Sequence, residues 1–326
     1  MKTLRHIQFC LFALLAGAAF TACNEEDPID PNADIPGLGG EETVQTETDR
    51  WLYENYVVPF NIDVEYKWDA TDMMPSIDKQ LVPVDEELVI PFMQVMYDVW
   101  FSPYEQTAGL DFVKEITPKK VVLVGSPEYE FGAIKLGQAE GGRKILLLNV
   151  NGFDPSDAAN VKEFLHTIEH EFAHILHQTV LFDKNYEKIS AGNYLPSGWT
   201  SVSDSEARQL GFITPYAMSG KDEDFVEMIS MIMVYGREWY EETVLTEAGT
   251  TGAALLQQKE QIVIDYLKNT WGIEFYDTAG EKGLVTCVQE AIAQTAGLVR
   301  TSSIPGSLEL NATGCNKGVA LQALCA

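Results

Sequence analysis

Four of the five histidines in this chain, His166, His170, His174 and His177, fall within one stretch, FLHTIEHEFAHILHQ, residues 164–178. On an α-helix each residue advances by about 100°, which sets His170, His174 and His177 about 40°, 80° and 20° round from His166. All four then share one arc narrower than a quarter of the circumference. Neighbours one turn apart lie close enough for two imidazoles to hold a single metal ion. The flanking residues predict the helix itself. Asp154-Pro155-Ser156 reads as an N-cap followed by proline at the first helical position, so the helix is expected to run from 154 to about 179.

Inside this helix His170-Glu171-Phe172-Ala173-His174 is an HExxH motif. His170 and His174 supply two nitrogen ligands to Zn²⁺. Glu171 sits beside the first ligand without being one, within reach of a zinc-bound water whose proton it can take as general base. His166 and His177 are read as packing or as outer support for the liganding rings, because metal-bound imidazoles need hydrogen-bond partners of their own.

A catalytic zinc keeps three protein ligands and one open position. The extended pattern HExxHxxGxxH is excluded, because the third and sixth residues after His174 are His177 and Val180. The remaining source is a carboxylate on a later helix. Glu223-Asp224-Phe225-Val226-Glu227 offers Glu223 as ligand, with Asp224 as its rival, and Glu227 one turn on to accept a hydrogen bond from a liganding histidine. Met228, Ile229, Met231, Ile232 and Met233 make the following helix apolar and hence buried. Glu227 within it needs a partner.

The rest of the chain reads as alternating short strands and helices. Helix is expected over 49–56, 85–104, 222–242, 253–270 and 283–295. Strands are expected over 61–68, 120–125 and 144–150, the last placed to pair with an extended substrate. Residues 182–215 are rich in Gly, Ser, Asn and Pro and show no clear period, the tail from 300 is turn-rich, and no internal repeat is present.

HEFAH followed some fifty residues later by EDFVE resembles the gluzincin metallopeptidases, whose third ligand is a glutamate. Within them the chain is similar to zinc metallohydrolase lipoproteins of Bacteroidetes, which accompany SusC/SusD-like nutrient importers. The resemblance implies an α+β, zincin-like fold: a small mixed sheet packed on the HExxH helix, then a mainly helical C-terminal part. It also implies one Zn²⁺ per chain. At the site alone the chain is similar to the peptidase domain of anthrax lethal factor, where a tyrosine seven residues before the zinc glutamate faces the tetrahedral intermediate. That position here is Tyr216, with Tyr194 as fallback; a hydroxyl donor to the developing oxyanion suits the chemistry.

The N-terminus is read as an export signal over 1–22. Lys2 and Arg5 precede an apolar run too short to span a bilayer comfortably, and Phe20-Thr21-Ala22-Cys23 resembles a lipobox, making Cys23 the lipidated residue. Residues 23–48 form an acidic tether with no Lys or Arg. Glu25-Glu26-Asp27 resembles a surface-export signal, which implies a lipid-anchored protein on the outer face of the outer membrane; the periplasmic face is the alternative. Residues 49–326 form the catalytic domain, with sheet and active-site helix in 49–180 and helices in 181–326. A net charge of −27 argues against nucleic acid as a partner. Of Cys287, Cys315 and Cys325, two are expected to form a C-terminal bridge.

The expected function is peptide-bond hydrolysis by zinc-activated water. Two alternatives stand beside it: a non-catalytic surface binder serving an importer with a structural zinc, and amide hydrolysis on a non-peptide.

Overall fold

The computed structural model describes residues 45–69, 81–130 and 133–302. Its six short strands are β1 (Asp63–Glu65), β2 (Lys120–Leu123), β3 (Glu128–Glu130), β4 (Ala133–Lys135), β5 (Gly137–Glu140) and β6 (Lys144–Leu147). Four of them form a mixed sheet in the order β1-β2-β6-β5, and β3 and β4 pair separately as a hairpin. β1, β2 and β6 are parallel; β5 returns antiparallel on β6, with Gly137 opposite Leu147 and Glu140 opposite Lys144.

The apolar runs of β2 and β6 occupy the middle because both of their faces are covered. Val121, Leu123, Ile145 and Leu147 face the main core, while Val122, Val124, Leu146 and Leu148 join Leu81 in a smaller cluster on the other side. Strands covered on both faces read as unbroken apolar sequence rather than as alternation. This corrects one expectation. β6 is paired on both edges and has no free hydrogen-bonding row for a substrate. The terminal strand on this side of the sheet is β5, whose polar sequence GQAE gave no strand signal.

Eight longer helical segments accompany the sheet among the described residues. α1 (Glu47–Leu52) starts from a Thr46–Asp49 capping box and continues through a π-helical stretch to Phe60. α2 (Glu86–Met96) likewise continues through π-helical Tyr97–Phe101 into Ser102–Ala108, four residues beyond its expected end. α3 (Leu110–Ile116) follows. α4 (Ala158–Thr179) carries the histidines. α5 (Asp204–Gln209) opens on a Ser203–Glu206 capping box inside the segment expected to be irregular. α6 (Lys221–Tyr235) stops at Gly236, whose φ of 91° is left-handed. α7 (Leu245–Trp271) breaks its own geometry at Gly249, and α8 (Leu284–Ser302) completes the set.

The cap of α4 differs from expectation. Asp157, not Asp154, is the N-cap and accepts from Ala159 N–H. Asp154 instead accepts at Oδ1 from the backbone and hydroxyl of Ser156, an Asx turn that engages its carboxylate before the helix begins.

The described residues from Thr46 to Ser302 pack as one unit around one large core. α4 buries Phe164, Leu165, Ile168, Phe172, Ile175 and Leu176 in it, and α6 buries Phe225, Met228, Ile229, Ile232 and Met233. The two helices therefore lie against each other, with the imidazole face of α4 turned toward the first turns of α6. No described helix is long and apolar enough to cross a membrane. Cys23 and its surroundings, Cys315 and Cys325 lie outside the described residues; Cys287 is buried.

Candidate metal centre

α4 meets the sheet edge where glycine leaves room. A Cβ on Gly137 would stand 2.5 Å from Thr167 Cγ2 and 3.3 Å from Glu171 Cγ, so only glycine lets helix and strand approach this closely. The approach brings the Glu171 carboxylate onto β5, where Ala139 N–H donates to Oε2 at 2.5 Å. That bond fixes the direction of the carboxylate.

One turn of α4 sets His170 and His174 side by side, with ring centroids 4.9 Å apart. Their Nε2 atoms converge on one oxygen of α6: Glu223 Oε2 lies 3.1 Å from His170 and 3.3 Å from His174. A carboxylate oxygen only accepts, so each gap holds either a proton or a metal ion. Ligands at about 2.0–2.1 Å from zinc stand about 3.3 Å apart in a tetrahedron. The distances of both nitrogens from Glu223 Oε2 fit that set.

The opposite nitrogens are held from outside. His170 Nδ1 and His166 Nε2 both donate to Glu227 Oε1 at 2.9 Å, and Thr214 Oγ1 donates to Glu227 Oε2 at 2.6 Å. His174 Nδ1 lies 2.9 Å from His177 Nε2. With its proton on Nδ1, His174 keeps the Nε2 lone pair toward Glu223. A second donor group, His166, His170 and Glu227, is also close-set. There the shared carboxylate, Glu227, is nearly sealed from solvent, and its second oxygen is taken by Thr214 Oγ1. The first group keeps an approach from outside, because the Glu223 side chain is 27 % exposed and that of His174 13 %.

The electrostatics follow from these contacts. Burial opposes charge on His170, but Glu223 and Glu227 override it and push its pKa up to about 10 when no metal is present. Burial raises both carboxyls as well, yet the facing imidazoles hold Glu223 and Glu227 well below the usual range. Burial and the neighbouring His174 ring push His177 down to about 4, so it is neutral near pH 7.

Tyr216 lies in a short 3-10 turn, Tyr216–Ser219, with its ring 5.7 Å from His170 and 5.0 Å from Trp199. Burial, then the charge of Glu223, raises its hydroxyl pKa far above neutrality, so it stays a donor. The two rivals are occupied elsewhere. The Asp224 carboxylate points away from the histidines and binds Lys259 Nζ at 2.6 Å. Tyr194 donates to that same carboxylate at 2.8 Å. Helix geometry explains the split, since consecutive residues project about 100° apart.

Three contributors carry no signal in the sequence. Thr214, in a segment without period, props Glu227 and accepts from Ala217 N–H. Ala139 acts through its backbone. Lys259 sits on α7, read only as one more helix.

The chain is similar to known proteins in both sequence and fold. The crystal structure of a "putative zinc-binding metallo-peptidase" from Bacteroides caccae is similar to this chain with a TM-score of 0.62 and 33 % identity, covering 78 % of this chain and 93 % of that one. No curated protein matches. The family model described as "Putative zinc-binding metallo-peptidase" matches residues 41–276, well over half of the sequence, and the chain belongs to that family.

Proposed function

We propose that the chain is a zinc-dependent peptidase with one Zn²⁺ held by His170, His174 and Glu223. The observation that carries this is the convergence of both histidine Nε2 atoms on Glu223 Oε2. A zinc ion held by these residues would supply a Lewis acid able to lower the pKa of a bound water and to polarise a carbonyl. Glu171 takes the proton of the attacking water and passes it to the leaving amine. Tyr216 donates to the oxyanion as it forms. Glu227 accepts the His170 Nδ1 proton and holds that ring's Nε2 toward the site.

The free edge of β5 suits an extended peptide. Leu148 N–H donates to Leu136 O, so the backbone groups of Gln138 face β6, while those of Gly137 and the carbonyl of Ala139 face outward, the Ala139 N–H being taken by Glu171 Oε2. A structural zinc would need four protein ligands. His166 and His177 are engaged with Glu227 and His174 instead, which favours a site with an open position. The lipobox-like Cys23 and the acidic stretch after it support a lipid anchor at the outer membrane, facing the cell surface. A SusC/SusD-like importer is the corresponding partner and peptides are the substrate.

The test is the zinc content of the chain purified without a histidine tag, together with peptide-library hydrolysis by wild type and Glu171→Gln. About one zinc per chain is expected in both. Hydrolysis should fall by about 10²–10⁴-fold in the variant. A chain that takes up no zinc, or a Glu171→Gln protein with normal turnover, removes the proposal.

A further inference from the structure

Lys259 has no accessible surface. A buried ammonium is tolerated only when its donors are satisfied, and each direction here is taken. Nζ donates to Asp224 Oδ2 at 2.6 Å and to Gly211 O at 2.6 Å, and it stands 4.0 Å from the centroid of the Phe212 ring. These acceptors lie on two separate segments, and each segment carries part of the metal centre.

We infer that Lys259 is a positioning residue for the candidate zinc site, acting on Glu223 through Asp224 and on Thr214 and Tyr216 through Gly211. The inference rests on the zinc reading given above.

The first route runs through the start of α6. Its N-cap is Gly220, with no side chain to cap the helix. The orientation of the first turn is therefore set by tertiary contacts. Asp224 is the deeply buried member of that turn, gripped by Lys259, by Tyr194 OH at 2.8 Å and, at its backbone carbonyl, by Tyr186 OH at 2.9 Å. Glu223 is its neighbour on the helix. Any rotation that frees Asp224 swings Glu223 off the two histidines by the same angle.

The second route runs through Gly211, which has a φ of 87° and no room for a Cβ, since Leu255 Cβ of α7 would be 2.7 Å away. The carbonyl held by Lys259 thus belongs to a backbone already pressed against α7. Three residues on, Thr214 donates to Glu227; Tyr216 follows. Leu195 N–H, next to Tyr194, donates to Met218 O at 2.7 Å and ties this loop back to the Asp224 contacts. One ammonium thereby sets the spacing between the helix that offers the third ligand and the loop that offers the tyrosine.

The test compares full-length wild type with Lys259→Met/Asp224→Asn. The double change removes both buried charges together and keeps an acceptor for Tyr194. Val263→Ala, a core truncation on the same helix, is the control for general destabilisation. Zinc affinity is read by chelator competition, and site geometry by the visible absorption of the cobalt-substituted protein. The double variant is expected to fold, to bind zinc about 10–100-fold more weakly and to show altered cobalt bands. Val263→Ala should lower Tm while leaving both readouts at wild-type values. Should the double variant not fold, Asp224→Asn alone is measured, with a weaker zinc affinity expected. Unchanged zinc affinity and cobalt bands in a folded variant overturn the inference and leave the zinc reading intact. A wild-type chain that binds no zinc overturns both.

Discussion

Glu227 Oε1 accepts from His170 Nδ1 at 2.9 Å while the other nitrogen of that ring faces Glu223 Oε2 at 3.1 Å. The ring is held between two carboxylates from the same face of α6, one turn apart. Removing the charge of Glu227 while keeping its shape weakens the hold on His170 and lowers the basicity of its Nε2. Glu227→Gln should reduce zinc affinity by about 10–100-fold with the fold retained. Competition with a chelator of known affinity measures this, and an unchanged dissociation constant would show that Glu227 only fills space.

The hydroxyl of Tyr216 is predicted to matter after substrate is bound, not before. Tyr216→Phe should lower kcat by about 10–10³-fold and leave KM within a few-fold of wild type, since the donor acts on charge that exists only in the transition state. Steady-state kinetics on one cleaved peptide decides it. A rise in KM with kcat unchanged would make Tyr216 a substrate-binding wall instead.

Close packing of α4 on β5 gives a paired prediction. Gly137→Ala puts a methyl against Thr167 Cγ2, and Thr167 is held in place by its own hydroxyl bond to Glu163 O. The expected cost is about 1–3 kcal/mol. Thr167→Ser deletes the opposing methyl and keeps the hydroxyl, so it should restore most of that loss. A double-mutant cycle by urea denaturation reads the coupling. Strictly additive effects would place the strain elsewhere.

Glu169 links the far side of α4 to pH. Its side chain is fully buried, with Tyr104 OH donating to Oε2 at 2.8 Å. Burial pushes its pKa up to about 8, which the tyrosine bond only partly offsets. The native state then binds a proton that the unfolded chain releases near its ordinary carboxyl pKa. The stabilisation is present at low pH and is lost as pH rises from the unfolded value toward about 8. Glu169→Gln should flatten this part of the stability profile and be the more stable protein at pH 8 by about 1–3 kcal/mol. Urea titrations of both metal-free proteins between pH 5 and pH 8.5 test it; parallel profiles would refute it.

Much of the centre could be read from residue spacing. His170, Glu171 and His174 declare themselves because a four-residue interval on a helix is a direct statement about neighbourhood. Glu223 and Glu227 follow the same interval on an apolar helix. Between Glu223 and Asp224 the spacing is silent: both head a helix where acids are favoured anyway, and the partner that draws Asp224 away lies on α7, remote in sequence. β5 was missed for a related reason. Its residues have weak strand propensity, and pairing with β6 makes them a strand. The cap of α4 shifted by three residues because Asp154 and Asp157 are both competent, and only the local turn at Ser156 selects between them.

The brevity and polarity of β5 also bear on how copies of this protein meet. A long apolar strand at a sheet margin invites another copy to stack against it and the stacking to continue. Here the margin is four residues long, begins with glycine and ends with glutamate, on a chain carrying a net charge of −27. Such a margin can take a single short guest, while mutual repulsion between identical acidic molecules works against endless self-assembly.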